Sequence, residues 1–246
     1  MIRACIVVPV YNHTACLPWL VDRLRAMNLP TILVNDGSDG PCTATMRQLR
    51  DANPWITLIE RPENGGKGAA VKSGLCAAHS ESYSHALQVD ADGQHNLEDV
   101  PGMLALAEAN PSAVIVGTPE FRNVPRLRFY ARYLTHVWVW INTLSLEIRD
   151  SMCGFRVYPL DATCQVLERA RTGNRMDFDP EILVRLHWAG VPIVQMRTRV
   201  EYPRDGVSHF RGFHDNVLIS WAHTRLFFGM VRRLPRLLQR KWLGHG

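Results

Sequence analysis

The sequence predicts an α/β protein built on a doubly wound, mostly parallel sheet with helices on both faces. Three observations support this prediction. Short apolar runs of strand length alternate with segments whose apolar residues recur at helical spacing. The connections between them are short, as in parallel sheets assembled from strand–helix–strand units. Motifs rich in Asp, Asn and Gly follow the strand-like runs, at the sheet edge where open α/β sheets bind ligands.

The strands are predicted from nearly continuous apolar runs, the pattern of strands that are buried on both faces. The predicted strands are residues 2–9, 31–34, 56–60, 86–89, 113–116 and 191–197. The helices are predicted from apolar residues three and four positions apart. The predicted helices are residues 17–27, 41–51, 69–79, 97–109, 126–148, 161–171, 180–188 and 216–242. We expect Pro235 to break the last helix, because proline removes a helical hydrogen bond.

The composition is that of a globular domain with a full hydrophobic core. Of the 246 residues, 46% are hydrophobic and 21% are charged. The six cysteines include no Cys-x-x-Cys pair, which argues against a zinc ribbon and favours reduced, mostly buried thiols. The N-terminus lacks a signal-peptide layout, and no apolar stretch makes a convincing transmembrane helix. We therefore expect a cytoplasmic protein.

Residues 216–246 differ in charge from the rest of the chain. They hold six of the 28 Lys and Arg residues and none of the 23 acids, in a chain of net charge +5. This contrast predicts a domain at 1–215, with a nucleotide-binding half at 1–117 and a second half at 118–215, followed by a basic amphipathic tail.

The tail also has an apolar face. Its members are Leu226, Phe227, Met230, Val231, Leu234, Leu237 and Leu238. An apolar face beside arginines favours an anionic membrane surface over a nucleic-acid groove. The alternative is a C-terminal helix that docks on the domain and leaves its basic face in water.

The clearest chemical signal is the Asp-x-Asp pair of Asp90 and Asp92, directly after the predicted strand at 86–89. Two carboxylates at one strand end repel each other unless a cation joins them. Oxygen ligands suit Mg²⁺ or Mn²⁺, and such ions usually bridge to phosphates. The pair therefore predicts a metal site that receives a diphosphate. Taken alone, it also fits a plain turn.

Three further motifs close neighbouring strands, and each is weak by itself. Pro9-Val10-Tyr11-Asn12 and Asn35-Asp36-Gly37-Ser38 both also fit ordinary turns. Asn64-Gly65-Gly66-Lys67-Gly68 leads into a helix, where Lys67 could contact a diphosphate or could simply be solvated. It is not a Walker A loop, because Arg61 stands where that motif requires glycine. The informative feature is the order: a polar motif follows each strand in turn.

Together these motifs resemble those of family 2 glycosyltransferases with the Rossmann-like GT-A fold. Within that family they are most similar to the polyprenyl- or dolichyl-phosphate mannosyl- and glucosyltransferase branch. The resemblance covers about residues 3–210. It also includes Asp90-Ala91-Asp92-Gly93-Gln94-His95, Asp150-Ser151-Met152-Cys153-Gly154-Phe155-Arg156 and Arg204-Asp205-Gly206-Val207-Ser208.

The resemblance implies a role for each matched residue. The nucleotide and its diphosphate would be held by Pro9, Tyr11, Asn12, Asp36 and Lys67. The cofactor would be Mg²⁺ or Mn²⁺, bound by Asp90, Asp92 and Gln94. The diphosphate or an acceptor phosphate would be served by Arg132, Arg156, Arg204 and Ser208. Asp92 and Arg156 would therefore act in catalysis.

Two further acids, Asp179 and Glu181, lie where the resembling enzymes place acids near the acceptor. Either would be a general base that deprotonates an acceptor hydroxyl. Acids at a helix start also act merely as caps, and this alternative stays open. A phosphate acceptor is already anionic and needs no base.

The activity implied by the resemblance is inverting transfer of a sugar from GDP-mannose or UDP-glucose to a polyprenyl phosphate or another lipid-like acceptor. The expected location is peripheral, on the cytoplasmic face of the membrane. A hydroxyl of a glycan or glycolipid is the alternative acceptor.

Two other functional classes of protein stay open. A nucleotidyltransferase would usually show a basic glycine-rich loop where Tyr11-Asn12-His13-Thr14 stands, and a non-enzymatic membrane-associated protein would bind sugar nucleotides without turnover.

Overall fold

The computed structural model describes residues 2–120, 126–199 and 212–242. Its strands are β1 (Ala4–Val10), β2 (Thr31–Asp36), β3 (Ile56–Arg61), β4 (His85–Gln88), β5 (Val114–Glu120), β6 (Arg156–Pro159) and β7 (Ile193–Arg199). They form one sheet with the order β3-β2-β1-β4-β6-β5-β7. Neighbouring strands are parallel except where β6 takes part. The predicted α/β class and mostly parallel sheet are confirmed.

The helices in the same ranges alternate with the strands along the first half of the chain. They are α1 (Leu17–Arg25), α2 (Gly40–Ala52), α3 (Lys67–Ser80), α4 (Val100–Ala109), α5 (Arg126–Thr143), α6 (Leu160–Arg169), α7 (Phe178–Ala189) and α8 (Gly212–Trp242). A short 3₁₀ turn, Leu97–Asp99, precedes α4.

The centre of the sheet sets the position of the site. Val7 of β1 pairs with Ile32 on one side and Gln88 on the other, both in parallel register. The carboxyl ends of β1, β2 and β4 therefore meet at one edge. Polar residues that follow these strands are brought together there, as the strand-end motifs predict.

Strand β6 is a correction to the sequence prediction, which contained no strand between residues 116 and 191. Arg156–Pro159 runs antiparallel between β4 and β5, with Val157 opposite both Leu87 and Ile115. A four-residue strand bounded by Arg and Pro carries too little apolar pattern to be predicted. Its pairing on both sides fills the centre of the sheet.

Hydrophobic cores lie on both faces of the sheet, because successive strand residues point to opposite sides. Val7 packs into a core with Leu75 of α3 and Leu183 of α7. Ile6 packs into the other core with Leu20 of α1 and Met103 of α4. The prediction of helices on both faces is confirmed.

Helix α5 ends at Thr143, whereas the prediction extended it to residue 148. The Thr143 hydroxyl donates to the carbonyl oxygen of Val139, 2.8 Å away. Leu144 then takes a φ of +54°, in the left-handed region that a helix cannot continue. The apolar residues after Thr143 therefore belong to a connection.

Helix α8 runs through Pro235, and the predicted break there is wrong. A proline inside a helix costs about 3 kcal/mol. Packing on both sides of it offsets that cost, because Leu226 and Leu237 are buried. Beyond the proline, Arg240 also donates to the carbonyl oxygen of His187, 3.0 Å away. None of the helices in the described ranges is both long and apolar enough to cross a membrane.

Candidate active site

A cleft of about 280 Å³ opens at the carboxyl ends of β1, β2 and β4. Its wall includes seven of the residues predicted from sequence: Pro9, Tyr11, Asp36, Lys67, Asp90, Asp92 and Gln94. The strand-end motifs, which are distant in sequence, therefore surround one cavity. The wall also contains residues with no predicted role, among them His13, Arg175 and Asp215.

Asp36, at the end of β2, holds the glycine-rich loop in place. Its Oδ1 accepts hydrogen bonds from Arg61 Nε (2.8 Å) and Gly65 N (3.0 Å), and its Oδ2 accepts from Gly66 N (2.7 Å). Gly66 has a φ of +97°, which favours glycine. Asp36 therefore shapes the loop that delivers Lys67, a role that the sequence did not indicate.

Lys67 is the central cation of the site. Its Nζ lies 2.8 Å from Asp90 Oδ2 and 2.9 Å from Asp179 Oδ2. Burial lowers the pKa of Lys67, but the attraction of the two carboxylates outweighs burial, so its pKa lies above the usual value. Lys67 therefore stays charged and joins the Asp-x-Asp pair, through Asp90, to the first turn of α7.

Asp90 is an ionised carboxylate with several donors around it. Besides Lys67, Gln88 Nε2 donates to its Oδ1 (3.2 Å), and His95 Nε2 lies 3.3 Å from its Oδ2. The His95 ring stacks on Phe155 with centroids 4.9 Å apart, which fixes its position. Burial alone would raise the pKa of Asp90. The effects of Lys67 and His95 outweigh burial, so the pKa lies well below the usual range.

Asp92 and Gln94 present oxygen atoms to the cleft with spare capacity. Asp92 Oδ1 accepts only the Gln94 backbone N–H, 3.1 Å away, among the contacts of the described residues. Gly93, between them, has a φ of +70° and lies against Trp19, so the turn accommodates no side chain. The described ranges contain no group of three or more His, Cys, Asp or Glu side chains suited to a metal. One or two carboxylates with water and phosphate suffice for Mg²⁺ or Mn²⁺, so these residues fit such an ion.

Gly154 leaves room for the ion pair. A Cβ atom at this position would lie 2.6 Å from Lys67 Nζ and 2.7 Å from Asp90 Oδ2. Contacts that short do not occur with real Cβ atoms, so a side chain here would push the pair apart. The contact between Lys67 and Asp90 therefore explains why the Asp150–Arg156 segment has glycine at position 154.

Asp179 and Glu181 have different surroundings although they are only two residues apart in sequence. Asp179 pairs with Lys67, which lines the cleft, and its Oδ1 is 3.9 Å from Arg156 Nη1. Glu181 is fully buried away from the cleft wall. Its carboxylate accepts from Gly173 N (2.9 Å), Arg185 Nε (2.9 Å) and Arg225 Nη2 (3.1 Å). Neither acid lines the cleft, and of the two only Asp179 contacts its central lysine.

The predicted arginines are also placed differently from one another. Arg156 is fully buried, and it donates to the carbonyl oxygens of Asp179 and Ser151, each 2.8 Å away. Arg132 is paired with Asp150, 2.7 Å from Nε to Oδ2. Neither lies on the cleft wall. Their contacts hold the framework behind the site.

Three other predicted residues complete the comparison with the sequence. Asn12 connects the loops after β1 and β2, since its N–H donates to Ser38 Oγ (3.2 Å) and its Oδ1 accepts from Asp39 N (2.8 Å). Arg204 and Ser208 lie outside the described residues. Asp215 is the main residue that the sequence did not predict: it is buried in the first turn of α8 and lies on the cleft wall.

Comparison with known proteins identifies the family. The family model described as "Glycosyl transferase family 2" matches residues 5–170, more than half of the chain. This chain belongs to glycosyltransferase family 2. The match includes the strand-end motifs and the Asp150–Arg156 segment of the site described above. The glycosyltransferase interpretation is confirmed, and the nucleotidyltransferase alternative finds no support.

Two relatives and one solved structure show which glycosyltransferases the chain is similar to. A dolichyl-phosphate beta-glucosyltransferase of Trichomonas vaginalis is 30% identical over 200 residues, covering 72% of this chain and 59% of the relative. An undecaprenyl-phosphate mannosyltransferase of Micrococcus luteus is 24% identical over 201 residues, covering 79% and 82%. A Pyrobaculum calidifontis mannosyltransferase in complex with GDP-Man and Mn²⁺ has a TM-score of 0.60 at 16% identity, covering 94% of this chain and 64% of that one. The likeness in structure shows the GT-A fold. This glycosyltransferase spans about three fifths of the first of these relatives.

Replacing Glu181 by Gln is expected to lower stability and leave turnover per folded molecule within about threefold of wild type. The change weakens the buried pairs with Arg185 and Arg225, at a cost of about 2–3 kcal/mol in the free energy of unfolding. Urea unfolding and initial rates measure the two quantities. Glu168→Gln, an exposed acid on α6, is the matched control. A large loss of turnover at normal stability would make Glu181 the base.

Proposed function

We propose that this protein is a metal-dependent, inverting glycosyltransferase that moves a sugar from a nucleotide sugar to a polyprenyl phosphate or a similar lipid-like acceptor. The observation that carries the proposal is the arrangement of Lys67, Asp90, Asp92 and Gln94 around one cleft at the strand ends. A partly buried cation, with spare oxygen ligands on Asp92 and Gln94 in the same cleft, suits a diphosphate and a divalent ion.

The metal would be held by Asp92 and Gln94, with Asp90 beside them. When bound, Mg²⁺ or Mn²⁺ supplies positive charge to the leaving diphosphate, which lowers the barrier by several kcal/mol. Lys67 holds Asp90 ionised and in position. The Pyrobaculum mannosyltransferase, whose structure is a complex with GDP-Man and Mn²⁺, supports the choice of ion.

The donor is a nucleotide sugar of the GDP-mannose or UDP-glucose type. The named activities of the two relatives, glucosyl and mannosyl transfer, support both sugars equally. Pro9 and Tyr11 offer the cleft wall against which the nucleoside packs. Asp36 has three donors already, so we propose that it acts on the nucleotide chiefly by shaping the loop after β3.

The acceptor is a phosphate, and the state of Asp179 supports this choice. A hydroxyl acceptor requires a base to remove its proton. Asp179 already accepts from the Lys67 ammonium, and Glu181 lies away from the cleft. A phosphate oxygen is anionic without help. The relatives named as dolichyl-phosphate and undecaprenyl-phosphate enzymes support the same acceptor class.

The reaction is a single displacement. An oxygen of the acceptor phosphate forms a bond to the anomeric carbon as the bond from that carbon to the donor diphosphate breaks. Nucleoside diphosphate leaves with the electron pair, and the configuration at the anomeric carbon inverts. Arg204 and Ser208 stay predictions for the contact with the acceptor phosphate.

A matched pair of acceptors tests the proposal. The full chain is incubated with Mn²⁺, GDP-mannose or UDP-glucose, and either a polyprenyl phosphate or the corresponding polyprenol. We expect a glycosylated lipid phosphate with an equal amount of nucleoside diphosphate. Product from the polyprenol alone would establish the hydroxyl alternative. Donor binding without product from either acceptor would support the non-enzymatic alternative.

Helix α8 supports a proposal about the membrane. One side of it is buried against α5 and α7, and the opposite side is an exposed apolar stripe. The stripe consists of Val217, Trp221, Phe228, Val231, Leu238 and Trp242. Of the predicted apolar face, Leu226, Met230 and Leu237 instead belong to the buried side. We propose that the stripe and the adjacent Arg232 and Arg236 bind an anionic membrane surface.

Replacing Arg232 and Arg236 together by Gln is expected to weaken binding to anionic vesicles about 10- to 30-fold in 0.1 M salt. Vesicle sedimentation measures the effect, which should shrink at high salt because the charges are screened. Deleting the tail is a poorer experiment, since it removes buried residues of α8. The double variant Arg169→Gln/Arg171→Gln carries the same charge change at the end of α6. Equal loss in both variants would refute a specific role of α8.

A further inference from the structure

Arg175 is a cation on the cleft wall that has no carboxylate partner among the described residues. Three other arginines beside the site, all within the described ranges, are paired: Arg61 with Asp36, Arg132 with Asp150, and Arg156 with Asp179. The Arg175 guanidinium has no hydrogen bond or ion pair to any residue in the described ranges, yet it lines the cleft. An unpaired arginine on a cleft wall is suited to bind an anionic ligand, because its guanidinium forms strong hydrogen bonds with phosphate or carboxylate oxygens.

The backbone around Arg175 is held firmly against α3. The carbonyl oxygen of Asn174 accepts from Ala69 N, 2.9 Å away, and Lys72 Nζ donates to the Asn174 side chain (2.6 Å) and to the Gly173 carbonyl oxygen (3.1 Å). Arg175 N donates to Asp177 Oδ1 at 3.1 Å. The position of Arg175 relative to the glycine-rich loop is therefore set before any ligand arrives.

The stem of Arg175 lies over Gly66. A Cβ atom at Gly66 would be 2.6 Å from Arg175 Cγ, so the arginine occupies the space that any other residue would take. Gly66 is also the N-cap of α3, directly before Lys67. Arg175 thus crosses the N-terminus of the helix that carries the central lysine, on the same side of the cleft.

The charges of the cleft explain why a second cation is needed. Lys67 is shared between Asp90 and Asp179, so it has no net positive charge to offer a ligand. Asp92 and Asp215 add further negative charge to the wall. A diphosphate entering this cleft is repelled unless other cations compensate. Among the residues that the structure places on the wall, only Arg175 is a fixed, unneutralised positive charge.

We propose that Arg175 is a phosphate-binding residue of this site and contacts the diphosphate of the nucleotide sugar. This inference rests on the proposed function. The planar guanidinium donates two parallel hydrogen bonds to phosphate oxygens, and it keeps its charge at every physiological pH. Arg175, in the segment that leads into α7, shares the cleft with Asp92 and Gln94 and holds the diphosphate there.

Calorimetric titration of GDP and UDP in the presence of Mn²⁺ tests the assignment. The variants are Arg175→Gln, Arg175→Lys and the control Arg171→Gln, which removes an exposed charge from the same connection. We expect Arg175→Gln to weaken nucleoside diphosphate binding about 10- to 100-fold. Arg175→Lys should recover part of the loss, and Arg171→Gln should bind as wild type.

Two further measurements separate a phosphate contact from a structural role. Arg175→Gln should leave the melting temperature unchanged, and its nucleotide affinity should depend less steeply on salt than that of wild type. Wild-type affinity in Arg175→Gln would overturn the inference, as would a loss confined to the KM of the polyprenyl phosphate. If wild type itself binds neither GDP nor UDP with Mn²⁺, the proposed function fails first, and the two failures are thereby distinguished.

Discussion

The variant Asp92→Asn is expected to lose sugar transfer by about 10³-fold or more while it keeps the wild-type fold. Asp92 offers the least occupied carboxylate of the strand-end pair, and its amide counterpart is neutral and a weaker ligand for Mg²⁺ or Mn²⁺. Without the ion, the leaving diphosphate develops its charge beside Asp90 and Asp215 with little compensation. Initial rates and donor calorimetry measure the two consequences.

The control for this variant is Asp22→Asn, which changes an exposed acid on α1 by the same atoms. It should be fully active. Asp92→Asn should also lose the dependence of donor affinity on Mn²⁺, so that affinities with the ion and with a chelator become equal. Donor affinity that still rises with Mn²⁺ in Asp92→Asn would contradict the assigned role.

The variant Lys67→Met is expected to lose about 3–5 kcal/mol of unfolding free energy together with activity. It leaves Asp90 and Asp179 buried next to each other with no ammonium between them. One of the two carboxyls then takes up a proton, which means that its pKa in the folded state rises above the unfolded value. Urea unfolding at several pH values measures the change.

The pH dependence gives the sign of the effect. A raised carboxyl pKa in the folded state adds stability as pH falls, so Lys67→Met should gain stability between about pH 7 and pH 5. In wild type the pKa of Asp90 is lowered, so its contribution is present above the unfolded pKa and is lost only in stronger acid. Lys72→Met, on the same helix, is the control, because Lys72 donates to carbonyl and amide oxygens of the 172–174 segment and to no carboxylate.

If Lys67→Met does not fold, the double variant Lys67→Met/Asp179→Asn keeps the prediction testable. Removing one of the two charges should restore a folded protein with wild-type secondary structure. A double variant as unstable as the single one would show that the packing of the Lys67 stem matters more than its charge.

The position of the site could be predicted from the sequence because strand ends are local features. The acid pair and the glycine-rich loop each follow an apolar run, and parallel strands bring such ends to one edge. No contact between them had to be known. This is why the cleft contains Tyr11, Lys67 and Asp92, as predicted.

The partners of the charged residues could not be predicted, because they come from distant parts of the chain. Lys67 and Asp179 are 112 positions apart. Asp179 and Glu181 look alike in sequence, yet Asp179 faces Lys67 and Glu181 faces Arg185 and Arg225. The orientation of α7 decides this difference, and it depends on packing against α3, α5, α6 and α8.

The tail shows the same limit at the level of a whole helix. Its composition predicts an amphipathic helix, and α8 is observed. The packing of α8 against α5 decides which of its apolar residues are buried. Leu226 and Val231 belong to one predicted face, yet Leu226 is buried and Val231 is exposed. The position of Asp215 on the cleft wall follows from this docking, because the first turn of α8 reaches the cleft.

Electron paramagnetic resonance of Mn²⁺ tests most directly whether Asp92 and Gln94 bind a divalent metal ion, as proposed. The signal of free Mn²⁺ is titrated with GDP or UDP alone, and then with nucleotide plus wild-type or Asp92→Asn protein. We expect wild-type protein with nucleotide to bind about one ion per chain, and more tightly than the nucleotide alone does, whereas Asp92→Asn should add nothing to the uptake by the nucleotide. Equal uptake by the two proteins would place the metal elsewhere and contradict the proposed site.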